Sequence, residues 1–191
     1  MSPVLGIIAS SNQQGRGGDA SAFYSIASIV VPSGGLSSVT FAGIPSIYRH
    51  LQLVAMTKTT VAGSDTWATS LTVYPNGDTT NTNYSRSYVY GNGFGTTVGD
   101  SGNNSVLFGP IMSSGYANSF SIAVVDFLDY ANTTKTKPIR TLAGSDASDT
   151  YSWVGATTNQ WKSLNAVTSL LVALGSGSFA QNTTLSLYGV L

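Results

Sequence analysis

The chain contains no cysteine and no glutamate, one histidine, and only 8% charged residues among 191. Each shortage removes a class of chemistry. Without cysteine there are no disulfides and no thiolate metal ligands. Without glutamate, every side-chain carboxylate is one of eight aspartates. An ordinary soluble domain carries about 25% charged residues, so this surface must be solvated by hydroxyls and amides instead. Eight Lys and Arg balance the eight Asp for a net charge of zero, and only Lys135 to Arg140 forms a local basic cluster. Nucleic-acid wrapping needs a basic stripe that displaces counterions, so no nucleic-acid partner is expected. No segment approaches the roughly 20 apolar residues of a membrane-spanning helix, so no membrane insertion is expected. Little charge repulsion keeps copies apart, which suits packing against other copies or a neutral partner.

What fills the chain is Ser, Thr, Gly and Asn around a 42% hydrophobic content. At 19.8 kDa it is long enough for one well-buried domain. Residues 1–22 read as an N-terminal anchoring arm. The apolar run Val4, Leu5, Gly6, Ile7, Ile8 precedes a small, polar, Gly-rich linker. Exposing Val4, Leu5, Ile7 and Ile8 to water has a hydrophobic cost, so they are expected to dock onto a neighbouring subunit or another part of an assembly. The start has no basic n-region, so no signal peptide is expected.

From Phe23 onward the pattern is short strands and turns, and residues 23–191 are assigned to one domain. Residues 23–31 look buried on both faces. Leu51, Leu53 and Ala55 share one face of a strand, as do Leu71 and Val73. Asn76-Gly77-Asp78 is a strong turn signal. Val98 to Asn104 reads as a loop, Asn159 to Leu164 as a helical turn, and Val167–Leu174 with Thr183–Leu191 as a closing hairpin. About nine or ten strands, with no helical period, predict an all-β fold: an antiparallel two-sheet β-sandwich closed as a jelly roll.

The candidate chemistry is sparse. His50 stands at the start of a strand with no Gly-x-Ser-x-Gly elbow elsewhere in the chain, so it reads as structural. Asp126 and Asp129 lie three apart, which on a strand means opposite faces; they read as turn-capping. Asp146 and Asp149 sit in a polar loop without calcium-site spacing, and Gly91 to Gly95 lacks the Lys-Ser/Thr of a phosphate loop. No catalytic residue, cofactor or metal is assigned. The densest aromatic run is Tyr84, Arg86, Tyr88, Tyr90 and Phe94. Tyr84, Tyr88 and Tyr90 share parity and so share a strand face. Such a row fits a glycan or protein contact, or a cross-strand aromatic ladder.

Five segments in order carry a resemblance: Met1 to Ser10, Ile44 to Leu53, Tyr74 to Asp78 continuing to Asn83-Tyr84-Ser85, Asp129 to Lys135, and Leu185 to Gly189. Together they resemble a family of small virion proteins of tailed bacteriophages, including cyanophages. The resemblance implies a non-enzymatic structural protein that folds in the host cytoplasm, ends in the virion and forms a β-rich homotrimer. Its partners would be itself, other phage virion proteins and, at a tail tip, a host surface glycan. A tail fibre or adhesion component is the reading preferred over a capsid decoration or cement protein. A carbohydrate-binding module is a further alternative. A polysaccharide hydrolase is disfavoured by the absence of glutamate and the lone histidine.

Overall fold

A computed structural model describes residues 22–63, 68–92, 97–102, 107–146 and 152–191. The chain is all-β. Its strands are β1 (Phe23–Val30), β2 (Ser38–Ala42), β3 (His50–Thr57), β4 (Thr69–Pro75), β5 (Tyr84–Gly91), β6 (Thr97–Gly102), β7 (Leu107–Ile111), β8 (Ser121–Phe127), β9 (Lys137–Asp146), β10 (Ser152–Trp161), β11 (Ser169–Leu174) and β12 (Thr184–Val190). One 3₁₀ turn, Asn81–Asn83, leads into β5. The anchoring residues Val4, Leu5, Ile7 and Ile8 lie outside the described residues, as does Phe94.

The strands form two antiparallel sheets. One has eight strands in the order β1-β12-β3-β8-β9-β10-β5-β6; the other has four, β2-β11-β4-β7. Pairing runs from the outside in: β1 with β12, β2 with β11, β3 with β8, β4 with β7. The remaining four strands, β9, β10, β5 and β6, continue the larger sheet beyond β8 as a wing. The core lies between the sheets. Leu51, Leu53, Val125, Phe127, Leu185 and Leu187 point inward from the larger sheet toward Val39, Phe41, Leu71, Val73, Leu170 and Val172 of the smaller one. The period of two in these strands puts every second residue inside, as the alternating burial of β2, β3 and β8 shows.

Four local expectations are corrected. In β1 only Ile29 is buried, because β1 is an edge strand paired to β12 alone. Residues 97–102 are a strand rather than a loop: β6 lacks apolar alternation but pairs along β5. Residues 159–161 are extended, not helical, because the β10 ladder runs through Trp161 to both β5 and β9. β11 and β12 lie in different sheets and form no hairpin.

The turn after β4 joins the smaller sheet to the wing. Asn76 and Gly77 both have positive φ, 53° and 69°, a conformation that Asn and Gly tolerate best. Asn76 Oδ1 accepts the Thr168 backbone N–H at 2.8 Å. Asp78 then accepts hydrogen bonds from Trp161 Nε1 at 2.8 Å, Asn83 Nδ2 at 2.8 Å and the Thr80 backbone N–H at 3.0 Å. Burial pulls the Asp78 carboxyl upward, but the bonds from Trp161, Asn83 and Thr80 outweigh it, leaving the pKa below the ordinary aspartate range. A depressed folded pKa means stabilisation that is present at neutral pH and lost on acidification. Asp78→Asn should therefore destabilise the domain by about 2 kcal/mol at pH 7, the scale of a lost charge-assisted bond. The gap in Tm between wild type and variant should shrink as pH falls below the unfolded aspartate value of about 3.9. Thermal denaturation at several pH values measures both.

Candidate binding cleft

The wing leaves part of its inner face beyond the smaller sheet. The edge strand β7 packs over β8, β9 and β10, while β5 and β6 lie farther out in the strand order. In β5, Tyr84, Arg86, Tyr88 and Tyr90 turn to the inner side, opposite Trp161, Asn159, Thr157 and Gly155 of β10. Alternation leaves Ser87 and Val89 exposed on the outer side.

These inner residues divide into two groups. Tyr84 is fully buried and meets Tyr74 edge-on, with ring centroids 6.4 Å apart. Its hydroxyl donates to the Asp78 carbonyl. Burial pushes that hydroxyl's pKa well above the usual tyrosine value, reinforced by Asp78 and Tyr74. Tyr84 thus belongs to the core. Arg86, Tyr88 and Tyr90 instead line a cleft of about 210 Å³ together with Ser70, Gly109, Trp153 and Thr157. Trp153 and Thr157 come from β10, Ser70 from β4 and Gly109 from the edge strand β7.

The cleft has a continuous aromatic wall. Tyr88 stacks on Tyr90 at 5.9 Å and 24°, and Tyr90 on Trp153 at 5.7 Å and 27°. The Arg86 guanidinium carbon sits 5.4 Å from the Tyr88 ring centroid, a cation–π distance. Two glycines make room for Trp153. A Cβ on Gly155 would stand 2.5 Å from the indole and 2.9 Å from Tyr90 Cβ. A Cβ on Gly109, whose φ is +104°, would meet the indole at 3.1 Å.

The floor is polar. Asn159 Nδ2 donates to Thr157 Oγ1 at 2.8 Å. Arg86 Nε, Asn159 Oδ1 and Thr141 Oγ1 are buried without a hydrogen-bond partner. Arg86 and Asn159 are direct cross-strand neighbours. Of these only Arg86 lines the cleft, where Ser70 and Thr157 add hydroxyls beside the aromatic wall. That combination suits a polyol with one apolar face. A second depression of about 330 Å³ is lined by Ser85, Arg86, Ser87, Pro138, Thr158, Asn159 and Gln160, with no aromatic among them.

The aspartates expected to cap turns are engaged structurally. Asp126 accepts from Arg140 Nε at 2.7 Å and Gln52 Nε2 at 2.9 Å. Asp129, in a turn with φ of 47°, pairs with Lys135 and lies 3.7 Å from Arg49 Nε. The Lys135 hydrogen bond lowers its pKa against the upward pull of burial. His50 Nδ1 accepts the Asp129 backbone N–H at 2.9 Å, so the lone histidine braces this turn. Asp149 lies outside the described residues. Among the described residues, no group of three His or Asp is arranged to hold a metal ion.

Comparison with protein families, curated proteins and solved structures finds no match.

Of the aromatic run named from sequence, the cleft takes Arg86, Tyr88 and Tyr90. Trp153, Thr157, Ser70 and Gly109 were not foreseen, because they reach the cleft through long-range pairing. Gly155→Ala should displace the Trp153 indole and destabilise the domain by about 1–3 kcal/mol, the usual cost of overpacking. A lowered Tm together with a changed near-ultraviolet circular dichroism band would register it. An unchanged spectrum would show that the indole does not depend on that glycine.

Proposed function

We propose that this chain is a non-enzymatic structural protein of a bacteriophage virion: a homotrimeric tail-fibre or adhesion component, attached through its N-terminal arm, that presents the wing cleft to a host surface glycan. The observation that carries the adhesive reading is the Tyr88–Tyr90–Trp153 wall with Arg86 beside it. Aromatic faces stack on the apolar side of sugar rings, and Arg86, Ser70 and Thr157 would hydrogen-bond hydroxyls. The outside-in pairing of eight strands supports reading the frame as a jelly roll, an architecture used by viral capsid and lectin domains. That likeness is one of architecture and carries no chemistry by itself. The virion assignment and the trimer rest on the sequence resemblance.

Two experiments test this reading. Immunogold labelling of intact virions with antibody to this protein is expected to mark the tail. Label spread over the head would make it a decoration protein, and no signal in intact or opened particles would overturn the virion assignment. Deleting residues 2–9 is expected to leave a folded domain that no longer enters particles; normal incorporation would remove the anchor.

For the cleft, Tyr90→Ala should reduce binding to host envelope glycan by at least about tenfold, on the scale of about 1–3 kcal/mol for a lost stacking aromatic. Tyr90 packs against the core between Tyr88 and Trp153, so Tm is expected to fall as well, and binding is compared at a temperature where both proteins are folded. Loss of binding only in step with loss of folding would return the aromatics to a purely structural ladder.

A further inference from the structure

The outer face of the eight-stranded sheet points away from the core, yet it is not polar. The pairing registers align its residues in rows across the sheet. One row runs Val30, Thr184, Met56, Ile122, Gly144, Val154. The next runs Ser186, Val54, Val124, Leu142, Ala156, Val89. Ile122, Leu142 and Val154 are 63%, 61% and 60% exposed, and Val54, Met56 and Val89 are exposed as well. Neither row contains an ionisable residue. A third row, Gln52, Asp126, Arg140, Thr158, Ser87, borders them. Its two charges cancel within the chain, since Arg140 Nε donates to Asp126 Oδ2 at 2.7 Å and Gln52 binds Asp126 Oδ1.

An antiparallel sheet with one face on a core ordinarily puts polar residues on the other. Here large aliphatic side chains occupy that face on β3, β8, β9, β10 and β5, five adjacent strands. Isolated exposed apolar residues need no explanation, but a contiguous band does. We infer that this outer face is a homotypic interface, covered in solution by a second copy of this chain.

Three observations favour that occupant. The band is electrically neutral, and the whole chain has zero net charge, so identical copies meet without repulsion and without needing a partner of opposite sign. A lipid surface or nucleic acid would call for basic residues beside the band; among the described residues its borders carry Arg140, already neutralised by Asp126, and on the other side the acidic Asp146. The size also fits. Eight strands about 4.8 Å apart and about seven residues long give a whole face of roughly 800 Å², the scale of one partner's share of a standard interface; the two aliphatic rows occupy roughly 300 Å² at its centre, with the Gln52, Asp126 and Arg140 row as a polar rim. The core of such an interface is depleted in charge, as these two rows are.

The absence of cysteine makes the test clean. In the full-length chain, Leu142→Cys treated with a short bis-maleimide should give a covalently linked species on a denaturing gel. Thr40→Cys, exposed on β2 of the other sheet, should not. Sedimentation of the wild type should give a whole-number multiple of the chain mass, and Ile122→Lys should weaken that association by at least about 100-fold, as for a central interface residue. The cross-link does not require the lysine variant to fold, so the two readouts fail independently. A monomeric wild type, equal cross-linking from both cysteines, or an unchanged mass for Ile122→Lys would overturn the inference. So would loss of the cross-link on removing residues 2–9, which would assign the band to the N-terminal apolar segment. A positive cross-link with no virion label would keep the interface and remove the virion assignment.

Discussion

The ladder between β8 and β9 carries the larger sheet four strands beyond the frame it begins in, and the molecule's other features follow from that extension. Phe127 pairs with Ile139 and Val125 with Thr141, so the wing continues the frame without a break in hydrogen bonding. A sheet of eight cannot be covered by a sheet of four. Inside, the overhang creates a recess at the edge of the smaller sheet, where the aromatic wall stands. Outside, it creates a broad, continuous face wide enough to seat another molecule. The cleft lies on the inner side of the wing, and the outer face runs from the wing on across β8 and β3.

The scarcity of charge is consistent with how the few charges are used. Asp78 ties the turn entering the wing to Trp161 at the end of β10. Asp126 and Arg140 neutralise one another on the outer face. Lys58 and Lys137 are buried, and their ammonium groups donate to backbone carbonyls: Lys58 to Tyr116 and Ala117, Lys137 to Lys135 and Leu164. Burial lowers both pKa values, with Lys135 adding to the effect on Lys137. These ions hold loops in place by solvating backbone groups that would otherwise be buried unpaired. What remains on the outer band is hydroxyl, glycine and aliphatic surface, the kind that packs against itself.

Glycine sets the shape of the cleft as much as the aromatics do. Tyr88 and Tyr90 could form a plain strand ladder by themselves. Trp153 joins them only because positions 109 and 155 present no Cβ to its ring. At the opposite edge of the same sheet, Tyr48 lies over Gly189 and stacks on Tyr24 at 5.7 Å. In both places the missing side chain lets an aromatic ring lie flat on the backbone.

Much of the fold was legible in local pattern. Alternation exposed the inward faces of β3 and β4, and Asn76-Gly77-Asp78 announced its turn, because period and turn chemistry are local properties of the chain. Parity alone put Tyr84, Tyr88 and Tyr90 on one face. The rest was decided at long range. TVGDSG has no strand signal of its own; β6 is extended because β5 supplies its hydrogen bonds. Residues 159–161 are extended because two neighbouring ladders hold them, against a local appearance of a helical turn. Tyr84 and Tyr88 look equivalent in sequence, yet the turn at Asp78 seals one into the core while the edge of β7 leaves the other in the cleft. The sequence by itself determined strand faces, turns and a neutral, charge-poor surface, since these depend on neighbours a few residues apart. Only the tertiary structure decided which strands share a sheet, and so which aromatics meet and which aliphatic residues line up into a band, because register joins residues far apart in the chain.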